Sequence, residues 1–104
     1  MLATQTLKDA WLSALRDHTY QHGRFEFKTP DGAYCCLGVL CMVMKHPEWA
    51  QSREGRHNQY DQLRMHSQLT PAETHALVAL NDMNDSTFHH IANYIERHIT
   101  ALNS

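Results

Sequence analysis

YCCLGVLCMVM, Tyr34 to Met44, is the stretch whose reading decides the fold. Cys35 and Cys36 stand side by side, and Cys41 follows five residues later. As the chemical centre of the protein, the run would supply ligands or a nucleophile. As a packed corner, it would supply small apolar side chains. Leu37, Leu40, Cys41 and Met44 recur at helical spacing, and Pro47 lies just past the pattern. The preceding AYCC is extended in character, so the stretch predicts a strand-to-helix corner. Gly38 would let another backbone approach that corner closely.

Upstream, TLKDAWLSALRDH places Leu7, Trp11, Ala14, Leu15 and His18 on one helical face, which predicts a helix over residues 6–20. Thr6 or Thr4 can cap it, and Gly23 marks its exit. RFEFK then alternates polar and aromatic residues, TPDG is turn chemistry, and AYCC returns. Arg24–Lys28 and Ala33–Cys36 therefore predict a short hairpin.

Downstream, residues 51–68 are polar and only weakly periodic, with Tyr60, Leu63 and Met65 as anchors. They read as a long loop with room for one helical turn, a surface on which a partner could be met. Thr70-Pro71-Ala72-Glu73 is a helix start: a threonine cap, proline at the first position and a glutamate to close a capping box. That helix runs to about Leu80, where NDMND breaks it. Asp85 or Ser86 caps a last helix with the apolar stripe Phe88, Ile91, Ala92, Ile95, Ile99 and Leu102. The expected architecture is α+β, mainly α: about four helices in a single domain over 1–104, with one short β-hairpin between the first and second helices.

Composition excludes several functions. Residues 1–70 hold eight Lys/Arg against seven Asp/Glu, and from Pro71 onward Arg97 faces Glu73, Asp82, Asp85 and Glu96. A nucleic-acid binder concentrates basic charge, because phosphate neutralisation supplies most of its affinity. No run approaches the ~20 apolar residues of a membrane span, and MLATQTLKDAWL has charges where a signal peptide needs its apolar region. The expectation is a cytoplasmic protein with neither a membrane nor a sequence-specific nucleic-acid partner.

The remaining constellations have plainer explanations. CC-x4-C is not zinc-ligand spacing, and a disulfide between neighbours is strained. Cys36 keeps a claim on chemistry because a helix N-terminus can lower a thiol pKa. His18 and His22 form an i, i+4 pair only if the first helix continues that far. Asn81 to Ser86 is oxygen-rich like a calcium loop but lacks its glycine and closing glutamate. The C-terminal third resembles the opening of a helix-turn-helix module, yet only ITALNS follows where the reading helix should be. Neither a metal nor a cofactor is expected. An apolar edge at Tyr60, Leu63 and Met65 could support a homodimer.

One family pattern fits the motifs Trp11 to Arg16, Tyr34 to Cys41, Leu80-Asn81-Asp82 and Thr87 to Glu96. The chain resembles small bacteriophage and prophage proteins of unassigned function that carry [FY]CCLGVLC and a C-terminal LND…F..IA..IE segment. The middle differs, since family members often carry a Leu-Pro strand segment in place of the His- and Gln-rich stretch. The resemblance implies a phage-encoded protein acting in a bacterial host cytoplasm. Proteins of that kind commonly take over the host or counter its defences by binding a host protein or defence complex, anti-CRISPR factors among them. The expectation is thus a non-enzymatic inhibitor acting by protein–protein contact, through Arg53, Arg56, Tyr60, Asp82 and Asp85. The alternative is a small thiol-dependent enzyme or redox-sensitive protein using Cys36.

Overall fold

The computed structural model describes residues 1–51 and 56–103. A short strand β1 (Leu2–Thr4) leads directly into α1 (Gln5–Arg16), followed by α2 (Cys36–Val43), α3 (Pro47–Gln51), α4 (Arg56–Ser67), α5 (Pro71–Asn81), α6 (Phe88–His98) and a last strand β2 (Ala101–Asn103). The strands pair in parallel, with Leu2 opposite Ala101 and Thr4 opposite Asn103. Six helices among the described residues replace the four expected, and the sheet joins the two ends of the chain.

Capping sets most helix starts. Thr4 accepts from the Leu7 backbone N–H, Thr70 and Glu73 form a reciprocal capping box, and Thr87 accepts from the His90 N–H. The last cap is Thr87, neither Asp85 nor Ser86: the Ser86 side chain is buried. α1 stops at Arg16, and His18 turns left-handed at φ 62°, so Gly23 is not its exit.

The expected hairpin is reduced to two isolated bridges, from Tyr34 to His22 and to Lys28. Phe25 supplies the reason: its φ of 73° interrupts the RFEFK run with a conformation outside regular strand geometry. The turn itself persists, with Gly32 N–H donating to Thr29 O at 3.0 Å and Cys35 N–H to Phe27 O at 3.1 Å.

The expected 51–68 loop is instead largely helical. Pro47, read as the end of a pattern, is the first residue of α3. α4 has no Gly or Pro, and among its described side chains the buried ones are Gln59, Leu63 and Ser67, each four residues from the next. Two of those three are polar, which hides the apolar period. Met65, expected as an anchor, is 64% exposed.

The core is built around α2. Every residue from Cys36 to Cys41 is buried, as expected for a helix apolar on all sides. α1 packs against both α2 and α6. Arg16 reaches Glu96 at 3.1 Å and Asn93 at 3.0 Å, and Lys8 donates to the Glu96 carbonyl. α6 buries Phe88, Ile91, Ala92 and Ile95; the chain turns extended at Ile99, which leaves Leu102 53% exposed rather than on the stripe. Among the described residues no helix is long and apolar enough to cross a membrane.

Candidate functional site

The close approach at Gly38 positions the site. A Cβ there would lie 1.9 Å from the Phe27 carbonyl oxygen, so only glycine lets the 25–30 segment lie against the start of α2. Opposite that segment, the end of α5 and the side of α4 leave a cleft of about 630 Å³. Its floor is Cys35, Cys36 and Leu37, and its walls include Phe25, Glu26, Phe27, Tyr60, Val78 and Asp82.

Asn81 ties the floor together. Its Oδ1 accepts from the Cys36 backbone N–H at 3.0 Å and lies 2.9 Å from His22 Nε2. Its Nδ2 donates to the Gly23 carbonyl at 3.0 Å and to Asp82 Oδ1 at 3.1 Å. Because the Cys36 N–H is obligatorily a donor, the atom facing it is oxygen, and His22 must carry its proton on Nε2. Burial lowers the His22 pKa below its ordinary value, which keeps the ring neutral against Phe88. From the far side, Trp11 Nε1 donates to the Cys36 carbonyl at 2.9 Å.

Those bonds determine what the cysteines can do. Cys35 is the cap of α2 and accepts the Gly38 N–H on its sulfur at 3.3 Å. Cys36, the candidate nucleophile, is fully buried, and its thiol donates weakly to the Leu77 carbonyl at 3.8 Å. Burial pushes the Cys35 and Cys41 thiols up to about 12 and that of Cys36 well above its ordinary value. Backbone N–H donors at the helix start pull the other way, but desolvation is the larger effect. In this structure the three thiols are packed as small buried side chains.

The rim is built differently. Four described non-glycine residues have positive φ: His18, Phe25, Lys45 and Gln68. Three of them directly follow the caps or last residues of α1, α2 and α4, where a left-handed turn is routine. Phe25 follows no helix, is bulky, and is 67% exposed. Asp82 Oδ1 holds it by accepting its N–H at 2.9 Å. Arg24 clamps the same segment, its guanidinium donating to the carbonyls of Met83, Asn84 and Ser86 at 2.9–3.3 Å.

Of the residues expected to meet a partner, Tyr60 and Asp82 both line the cleft. Asp85 is exposed on the α5–α6 corner but is not part of the lining. Arg53 lies outside the described residues, and Arg56 begins α4. Phe25 and Asn81 were missed as site residues: RFEFK read as a strand, and NDMND read as turn chemistry. A second cluster, unannounced by its sequence, stacks His46 on Trp49 at 4.0 Å with His66 4.7 Å from the same indole. Among the described residues no group of three or more His, Cys, Asp or Glu could hold a metal ion.

A domain of unknown function, DUF8296, matches residues 3–74. That span is more than half of the chain, so the chain belongs to this family. No curated protein and no solved structure matches it.

Proposed function

We propose that this DUF8296 chain is a non-catalytic binding protein that engages another protein through the rim of the α2–α5 cleft. The observation that carries this reading is Phe25. An exposed aromatic ring in a left-handed backbone conformation costs of order 1–3 kcal/mol, and such outliers gather where a surface is used. Here the outlier is held by Asp82 and flanked by the Arg24 clamp. On the resemblance to phage proteins, the target is a host enzyme or a defence complex such as a CRISPR effector, met in the bacterial cytoplasm. The rival reading, thiol chemistry at Cys36, has burial and a raised pKa against it.

Affinity capture from bacterial lysate tests the proposal. Tagged wild-type chain recovers a defined partner; Phe25→Ala loses it, while Met65→Ala, an exposed apolar residue elsewhere, keeps it. Equal recovery by Phe25→Ala sinks the rim as the contact surface. Stoichiometric labelling of native Cys36 by a thiol probe would revive the rival.

A further inference from the structure

We propose that His46 and His66 form a two-imidazole site for a divalent transition-metal ion, with Cu(II) held most tightly and water completing its coordination. The proposal stands on the cluster around Trp49 and is independent of the cleft and its partner.

The two rings come from separate segments and are held by packing. The His46 backbone N–H donates to the Cys41 carbonyl at 2.9 Å, and its carbonyl accepts the Trp49 N–H at 3.1 Å, which closes the turn between α2 and α3. Its ring lies 4.0 Å from the Trp49 indole and within 8° of parallel to it. His66, in the last turn of α4, brings its ring 4.7 Å from the same indole. The two imidazoles are thereby 5.5 Å apart, centre to centre, and inclined at 50°. A metal–nitrogen bond of about 2.0–2.1 Å puts a ring centre about 3 Å from the ion, so two imidazoles sharing one ion at a tetrahedral angle stand about 5 Å apart.

Hydrogen bonds set the tautomers. His46 Nδ1 lies 2.9 Å from Glu48 Oε1, and His66 Nδ1 lies 3.0 Å from the Gln62 carbonyl oxygen. The bond to His46 holds the Glu48 carboxyl below its ordinary value, so it is ionised and only accepts, as the carbonyl does. Each neutral ring therefore carries its proton on Nδ1 and keeps a lone pair on Nε2, and neither Nε2 bonds to a described residue. At metal sites the second nitrogen of a ligating histidine donates in this way to a carboxylate or a backbone carbonyl, which orients the ring and raises its basicity. One partner of each kind is present here. Both histidines reach solvent, so an ion can enter. Imidazole suits Cu(II), Ni(II) and Zn(II) rather than Mg(II) or Ca(II), and Cu(II) leads that order.

The experiment is a titration of the full chain with copper(II) chloride, followed through its amide and indole resonances. The first equivalent should broaden the signals of His46, Trp49 and His66 before those of His89, His90 and His98 on α6. Excess zinc(II), which is diamagnetic and takes the same ligands, should restore them. Glu48→Gln, which keeps an oxygen for His46 Nδ1 but not its charge, should weaken binding about tenfold. His46→Asn and His66→Asn should each weaken it further, while His89→Asn should leave it unchanged. A His66→Asn chain that folds and binds copper as tightly as wild type overturns the inference. Should the histidine variants misfold, the wild-type spectrum still decides. Broadening that begins away from Trp49, or at all the histidines alike, overturns the site whatever the variants do.

Discussion

The floor and the rim of one cleft are built on opposite rules. On the floor, the Cys36 N–H and carbonyl, the Gly23 carbonyl and both ends of the Asn81 amide are partnered, and the side chains are buried. On the rim, the largely exposed Phe25 sits on a left-handed backbone, and the carboxylates of Glu26 and Asp82 form no ion pair with the described residues. A satisfied floor resists deformation, because loosening any bond strands a buried polar group. The rim's costly conformation is anchored to that floor through Asn81 and Asp82, and the Arg24 clamp holds the same segment.

Breaking the floor should do most harm. Gly38→Ala drives a methyl into the Phe27 carbonyl, a backbone group that cannot swing aside, and should cost about 3 kcal/mol or more. Urea denaturation would show this as a collapse of the midpoint. Asn81→Ala leaves the buried Cys36 N–H without an acceptor and the Gly23 carbonyl without its donor; a loss of about 2–3 kcal/mol is expected by the same method. A near-neutral result would mean that water replaces the amide.

Relieving the rim should have the opposite sign. Phe25→Gly removes the left-handed penalty at a largely exposed position and should stabilise the fold by about 1 kcal/mol, while weakening any partner contact. Stability lost in this variant would show that the ring is packed rather than displayed.

His22 offers a gentler perturbation of the floor. Its folded pKa lies below the ordinary 6.5, so the unfolded chain binds the extra proton first. Its contribution is therefore present above about pH 6.5 and is lost as pH falls through the depressed folded value. Stability profiles of wild type and His22→Gln should converge on acidification; parallel profiles would assign the acid sensitivity to other histidines. The smallest effect is expected at the thiols. Native protein should label no faster than it unfolds, and full labelling should appear only in denaturant.

Residues from the sequence motifs touch one another in the fold. Trp11 bonds the Cys36 carbonyl, Arg16 pairs with Glu96, and Asn81 bonds the Cys36 N–H. They form long-range hydrogen bonds between elements, which none of the motifs announces when read alone. α4 was illegible for a related reason. Its buried side chains, among those described, are Gln59, Leu63 and Ser67, and a polar residue buried through tertiary contacts leaves no hydrophobic period to detect.

Local chemistry alone determined the corner at YCCLGVLC, the close approach at Gly38, the capping box at Thr70 and the amphipathic stripe from Phe88 to Ile95. Each depends on spacing within a few residues, where side-chain type and backbone preference act directly. Only the tertiary structure decided the left-handed Phe25, the fourfold use of Asn81 and the pairing of the chain's two ends in one parallel sheet. Asn81 meets groups as many as 59 residues away, and Phe25 bonds Asp82 across 57. Energies that arise only when distant segments are already packed together leave no local pattern in the chain.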